Sequence, residues 1–468
     1  VSERKIIIIG GGPGGYVAAI RAAQLGAQVS LVEKDNIGGT CLNRGCIPTK
    51  SLLHDAGLLQ KIKQSSVFNP ILSKTFSPFA AMMKRKNKVV KTIVEGVGFL
   101  LNSFQIEVIK ADAELKSSRQ VVISRENQNK EILEADRIII ASGSKVSTPP
   151  DFTPNRESII TSEEALSLET LPQHIVIIGG GYIGMEFATF FCALGTRVTV
   201  IEVMDNILTG LDDELTRNSR RFLEQKGVKI LTGTTLQSIT ETDNGVQVRA
   251  TSPKDQFEIP AEKVLMATGR TPNVSPDISK AGIDCSADGI KVNQRMETNI
   301  SGVYAVGDVV GGIQLAHVAT EEGEIAAENA CDLNRSKETH DIPFCVFTHP
   351  EIAGIGMTEK EARKRGPVTV GRFPYRANPT AIIHDDADGF IKVVIDLESD
   401  RILGIHILGH EASTLLSTAS SLIYQDVKGK DFAGCMQAHP TTSETLKEAF
   451  LCAYGAAIHA PKPLKPKK

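Results

Sequence analysis

The chain has 468 residues, 41% of them hydrophobic and 23% charged, with a net charge of −3. That length and apolar content exclude a fibrous or mostly disordered chain and require two to four domains. Balanced charge, 5% aromatics and no Trp leave no basic field or stacking surface for nucleic acid. No apolar run is long enough to span a membrane.

A strand signal opens at Lys5, so no targeting segment is expected ahead of it, and no membrane partner either. Eight cysteines in so long a chain are too few for a disulfide scaffold and point to a reducing cytoplasm. Residues 4–33, RKIIIIGGGPGGYVAAIRAAQLGAQVSLVE, read as strand, glycine turn, helix and second strand. Residues 173–202, QHIVIIGGGYIGMEFATFFCALGTRVTVIE, repeat the pattern, with 23 positions from first glycine to closing glutamate in both. Each is a βαβ unit, and two such units predict two doubly wound dinucleotide-binding domains.

Residues 84–110 read as a Lys-rich helix followed by a strand. A buried strand is expected within 135–143 and has its counterpart within 261–270, after the second copy. Residues 271–340 read as a further piece of the first domain, closing with a strand at 302–308. From 341 the alternating runs predict an antiparallel sheet with helices, and the tail APKPLKPKK predicts disorder. The expected class is α/β, two Rossmann-like domains plus a C-terminal α+β domain, divided at 1–145, 146–270, 271–340 and 341–468.

Gly10, Gly12 and Gly15, and again Gly179, Gly181 and Gly184, form G-x-G-x-x-G between a strand and a helix. The first glycine makes the turn, the second lets a pyrophosphate approach the backbone, and the third allows close helix–strand packing. The helix end then offers N–H groups and positive dipole to phosphate. Glu33 and Glu202 close their second strands, where a carboxylate accepts adenosine ribose hydroxyls. A carboxylate also repels a 2′-phosphate, and no Arg follows Glu202 until Arg217, so NAD is expected there over NADP. Two such sites imply electron traffic between two cofactors; one cofactor and a degenerate copy is the alternative.

Six cysteines, 192, 285, 331, 345, 435 and 452, read as ordinary thiols. Cys41 and Cys46, in GGTCLNRGCIPTK, do not. On a regular helix five steps separate them by more than about 7 Å along the axis, too far for a disulfide. Gly45, and Pro48 with no N–H to give Arg44, supply the distortion a locally closed, reducible bridge needs. No further ligands lie nearby for a metal. Two buried thiols are the plainer reading. Only about 3% of an ordinary thiol is ionised at neutral pH, so a thiolate here needs a helix end, cation or base, and Lys50 is the local cation.

These motifs resemble those of the flavoprotein disulfide reductases, the dihydrolipoamide dehydrogenase family in particular. The likeness runs the length of the chain: GGGPGG, GGTCLNRGCIPTK, ASGS, GGGYIGME, ATGRTPN, YAVGD, QLAH and AHPTTSE, in order. It implies FAD on the first copy, held by Gly10, Gly12, Gly15, Glu33, Lys34, Gly39, Thr40, Ala113, Ser142, Gly143, Asp308 and Ala316. Gly179, Gly181, Ile183, Gly184, Glu202 and Gly269 would hold NAD, with Lys50 and Glu186 between the two. Cys46 would lie on the flavin and Cys41 would exchange with substrate. His439 would be the base, oriented by Glu444 and reaching the cysteines of a second subunit, so that residues 341–468 form a dimerisation domain and the enzyme a homodimer. The implied activity is oxidation of dihydrolipoyl groups on a carrier domain, with hydride passed to NAD.

His349, also before a proline, is the decoy for the base. Three positions depart from the family pattern: Gln437 where His is common, Ser142 where Thr is frequent, and Arg44 between the cysteines. Mercuric reductases would show a C-terminal cysteine pair where this chain has Cys452 alone. Glutathione-type reductases would show arginines after the second strand. A flavin-binding structural subunit would show damage at Cys41, Cys46, His439 or Glu444, and all four are intact.

Overall fold

The computed structural model describes residues 4–65, 68, 69, 78–125, 129–338 and 341–461; the tail from 462 onward lies outside them. Two five-stranded parallel sheets carry the two glycine turns. In the first, the strands stand in the order Val303–Ala305, Arg137–Ile140, Lys5–Ile9, Gln28–Glu33, Glu107–Lys110. In the second they stand as Ile159–Thr161, Lys263–Met266, His174–Ile178, Arg197–Ile201, Lys229–Leu231. The order is the same, except that the first sheet takes its outer strand from far downstream and the second from just upstream.

Both sheets are covered on both faces, which is why their strands are unbroken Ile/Val runs. Alternate side chains serve opposite cores: Ile6 and Ile8 join the helices Pro13–Gln24 and Ala316–Ala330, whereas Ile7 faces Leu115, Val121 and Ile123. In the second sheet Ile175 and Ile177 meet Phe187, Phe190 and Phe191, and Val176 and Ile178 meet Val246, Val248 and Ile259. The opposite cover is in each case a three-stranded antiparallel ribbon, at 112–134 and at 235–261. The repeat therefore extends beyond the βαβ unit that the sequence displays.

Some boundaries move. The strand expected at 302–308 ends at Ala305 because Gly307 turns at φ +73° and gives its N–H to Glu322 Oε2 at 2.8 Å. The Lys-rich helix begins at Phe79, not 84, because Phe79 and Met82 are buried with Phe190 in the core. From 341 the expected antiparallel sheet is present, in the order Phe344–Val346, Ile352–Gly356, Ile402–Leu408, Phe390–Asp396, Val368–Pro374. Helices Ala412–Tyr424 and Ser443–Ala453 pack on it. No helix among the described residues is long and apolar enough to cross a membrane.

The helix that follows the first glycine turn is fixed by its neighbour Ala316–Ala330. A Cβ at Gly323 would lie 2.4 Å from the Gly14 carbonyl oxygen. Gly323→Ala is therefore expected to cost about 1–3 kcal/mol by overpacking. Urea unfolding checks this, and a midpoint equal to that of the parent chain would remove the account.

Candidate active site

One cavity of about 1850 Å³ reaches both glycine turns. That exceeds the roughly 300–1,000 Å³ typical of a single small ligand. Of the residues expected at the site, all line it except Gly15, Gly184, His439 and Glu444. Gly15 and Gly184 lie behind the turns, where a Cβ would stand 1.8 and 2.0 Å from the carbonyl oxygens of Gly10 and Gly179. Gly10 and Gly179 adopt φ of +103° and +108°. The middle glycines differ: a Cβ at Gly12 meets only Gly39 at 4.0 Å, and one at Gly181 meets nothing. That open space over the start of a helix is what an approaching pyrophosphate requires.

Glu33 Oε2 accepts from the Gly11 N–H and Oε1 from the Asp35 N–H, both at 2.7 Å. Glu202 does the same with Gly180 at 2.6 Å and Met204 at 2.8 Å. The two carboxylates thus brace the turns from behind, and each oxygen keeps lone-pair capacity for a ribose hydroxyl.

Cys41 lies in the short helix Gly39–Arg44, and Cys46 opens the next, Cys46–Gln64. Both are thiols here, and Cys41 donates a hydrogen bond to Cys46. That bond, first, holds the Cys46 thiol below its ordinary range; burial opposes it, the Lys50 ammonium assists and the Glu186 carboxylate resists. The same bond, then burial, pushes Cys41 up. The pair is thus divided into one readily ionised sulfur and one that keeps its proton.

Lys50 stands one helical turn beyond Cys46 and is ion-paired, its side chain only partly exposed. Its Nζ lies 2.9 and 2.7 Å from the two oxygens of Glu186, a residue 4% exposed on the helix Tyr182–Leu194. The Phe347 N–H donates to Glu186 Oε1 at 3.1 Å, and Lys50 lies 5.0 Å over the Phe347 ring. Arg44 is likewise engaged, with Asp35 at 2.5 Å and Glu163 at 3.4 Å. Asp308 accepts from the Ser144 hydroxyl, which also accepts from Arg270 Nε at 2.7 Å. Ser142 spends its hydroxyl on the Asn273 carbonyl at 3.0 Å.

His439 and Glu444 do pair with each other, Nδ1 lying 3.0 and 3.2 Å from the carboxylate oxygens. Burial opposes the Glu444 charge, but hydrogen bonds from the Thr441 N–H and His439 hold its carboxyl below the usual range. A carboxylate only accepts, so Nδ1 carries the proton and Nε2 is left basic. The pair stands apart from the cavity, with the imidazole 68% exposed. His349, the decoy, is half-buried, and that burial lowers it to about 4.

Sequence reading missed Arg270, Phe347 and Cys345. Arg270 was visible within ATGRTPN, but its tie to Ser144 is long-range. Phe347 acts through a backbone N–H, which has no sequence signature. Cys345 lines the cavity, and burial pushes its thiol up.

Residues 4–323 match the family model described as pyridine nucleotide-disulphide oxidoreductase, and 342–450 match its dimerisation domain. A dihydrolipoyl dehydrogenase of Bacillus subtilis is 41% identical over 97% of this chain and all of that protein. A mitochondrial dihydrolipoyl dehydrogenase of Arabidopsis thaliana is 37% identical over 98% of this chain and 92% of its own length. The crystal structure of LpdA from Mycobacterium tuberculosis superposes with a TM-score of 0.88 at 25% identity, covering 96% of this chain and 99% of that one.

Lys50→Met tests the electrostatics. It leaves the Glu186 carboxylate buried without its cation, an expected cost of about 3 kcal/mol. It also removes a charge that favours the Cys46 thiolate, so iodoacetamide alkylation of Cys46 should set in at higher pH than in the parent. An unchanged pH profile would mean that the helix end and Cys41 do the work alone.

Proposed function

The chain belongs to the pyridine nucleotide-disulphide oxidoreductase family, and we propose that it acts as a dihydrolipoyl dehydrogenase, oxidising dihydrolipoyl groups and passing the electrons to NAD. One observation carries the reading: two hydrogen-bonded cysteines, one at a helix N-terminus, line the cavity that joins two dinucleotide turns. Gly10, Gly12, Gly15 and Glu33, with Lys34, Gly39, Thr40, Ala113, Ser142, Gly143, Asp308 and Ala316, would hold FAD. Gly179, Gly181, Ile183, Gly184, Glu202 and Gly269 would hold NAD. FAD, when bound, supplies a two-electron acceptor between the cysteine pair and nicotinamide.

The chain's own residues handle protons and sulfur. In the oxidised state Cys41 and Cys46 form a disulfide. His439 Nε2 takes the proton of one substrate thiol, Glu444 fixing the tautomer through Nδ1. The substrate thiolate attacks Cys41, forming a mixed disulfide and releasing Cys46 as thiolate. The second substrate thiol displaces Cys41, its proton passing to the departing Cys41 sulfur, so the lipoyl disulfide leaves with two electrons left on the cysteines, Cys41 as thiol and Cys46 as thiolate. Lys50, held by Glu186, favours the Cys46 thiolate.

We read the four segments, 1–145, 146–270, 271–340 and 341–468, as FAD-binding, NAD-binding, a return to the first unit, and dimerisation. The strand Val303–Ala305 in the first sheet supports the return. The dimerisation domain supports a homodimer, and the exposure of His439 supports its serving a second copy. A lipoyl-bearing carrier domain of a 2-oxo acid dehydrogenase or glycine cleavage complex is the proposed partner, and a reducing cytoplasm the proposed setting.

Purified holoenzyme is expected to form NADH from dihydrolipoamide, with NADP a poor substitute and glutathione disulfide and mercuric ion poor substrates. His439→Gln should lose about 10²–10⁴-fold in turnover. Inactive Cys41→Ser and His439→Gln chains, unfolded together and refolded, should regain roughly a quarter of parental activity, because half the dimers then hold one intact site. FAD-loaded dimer with no turnover would sink the proposal, and no regain in the mixture would sink the shared site.

A further inference from the structure

The helix Ser443–Ala453 carries two histidine–carboxylate pairs, not one. Glu444 and Glu448 stand four residues apart and so share a face. Glu444 holds His439, and Glu448 Oε1 lies 2.9 Å from His459 Nδ1. Glu448 is 7% exposed, and its Oε2 is buried without a hydrogen-bond partner. A buried carboxylate with one oxygen unserved depends heavily on the partner it has. That partner is 67% exposed, so its ring exchanges protons with solvent. The His459 charge also reaches across the turn to Glu444, adding to the groups that keep that carboxyl ionised against the effect of burial.

We propose that His459 and Glu448 form a positioning pair that sets the pH at which the His439–Glu444 pair works. The proposal rests on the reading of His439 as the base. A cationic His459 beside Glu444 competes for that carboxylate and opposes a second positive charge on His439. The Glu448 carboxylate does the reverse. The two charges oppose each other one helical turn from Glu444, so removing either partner alone leaves the other uncompensated beside the His439–Glu444 pair.

Lys447, on the helix between the two glutamates, makes no ion pair among the described residues; the other groups around the helix are engaged. Glu444 also accepts from the Thr441 N–H at 2.9 Å. Glu448 also faces Cys452, whose thiol is pushed up by burial first and by that carboxylate second. From the strand Val368–Pro374, Arg372 reaches Glu214 at 2.8 Å. From Phe390–Asp396, Lys392 reaches Asp212 at 3.0 Å and Glu359 at 2.6 Å. From Gly429–Gly434, Lys430 lies 5.9 Å over the Tyr454 ring and Asp431 acts on the same phenol.

Two readouts on the holoenzyme dimer test the pair: the acid limb of the kcat/KM profile with dihydrolipoamide, and the titration midpoint of the His439 imidazole by ¹³C NMR, assigned with His439→Gln. His459→Gln should move both upward by roughly half a pH unit, the scale of one charge acting through a partly wet surface. Glu448→Gln should move both downward by a similar amount, and the double variant should return them close to the parent. A merely structural pair would lower stability without opposite shifts. Single variants that leave the midpoint in place, or move it in the same direction, overturn the proposal. If His439→Gln turns over normally, the base reading falls, and the NMR midpoints in the remaining variants still decide whether the second pair acts on His439.

Discussion

The absence of a side chain at position 45 holds the two sulfurs together. A Cβ at Gly45 would stand 2.9 Å from the Thr40 carbonyl oxygen, so only glycine lets the chain fold back between Gly39–Arg44 and Cys46–Gln64. An unbroken helix would place residues five apart more than about 7 Å from each other along its axis. The break cancels that separation and does more. It makes Cys46 the first residue of a 19-residue helix, where partial positive charge favours thiolate. Pro48 then sits in the first turn, where no N–H is needed, and Lys50 stands one turn behind the sulfur.

Around this hinge the duplicated units have become unequal. Each uses the same brace, a strand-end carboxylate tied to the glycine turn, and charge-assisted bonds of that kind contribute about 1.5–3 kcal/mol each. In the first unit, however, Gly39 comes within reach of Gly12, so the cysteine segment is stacked directly on the phosphate turn. In the second unit the helix after the turn offers Glu186 instead. That carboxylate accepts from Lys50 of the first unit and from the Phe347 backbone of the third. All three units meet on one buried charge, and that charge stands beside the ionising sulfur.

The parts legible in the sequence were those whose chemistry is local. Strand, glycine turn and helix follow one another within thirty residues, so both copies could be read, as could the cysteine pair; His439 and Glu444 stood out only through the family resemblance. The antiparallel ribbons were not legible, since runs such as QVVIS and EILE gain their meaning only by covering a sheet built from distant strands. Lys50 could be read as a cation but not as a paired one, because Glu186 lies 136 residues away. Arg44 looked like a departure between the cysteines; its partners Asp35 and Glu163 make it a tie between units.

The single chain divides its chemistry between two surfaces. The cavity holds a sulfur poised to ionise, yet no histidine is among the described residues that line it. The imidazole with a fixed tautomer stands 68% exposed on the unit that matches a dimerisation domain. A general base open to water on all sides gains little from its orienting carboxylate, because solvent competes for both nitrogens; in a closed site the same pair is strong. The carboxylate that orients the base is firmly mounted: Gly371 lets the helix Ser443–Ala453, which carries Glu444, approach so closely that a Cβ there would lie 1.9 Å from the Ala449 carbonyl oxygen. An imidazole that projects outward and a cavity that lacks one are complementary surfaces of the same molecule. A two-fold dimer satisfies both at once, since a contact made in one direction is made in the other. On the proposed reading, association does not simply stabilise a finished active site; it brings each cavity the proton acceptor it lacks.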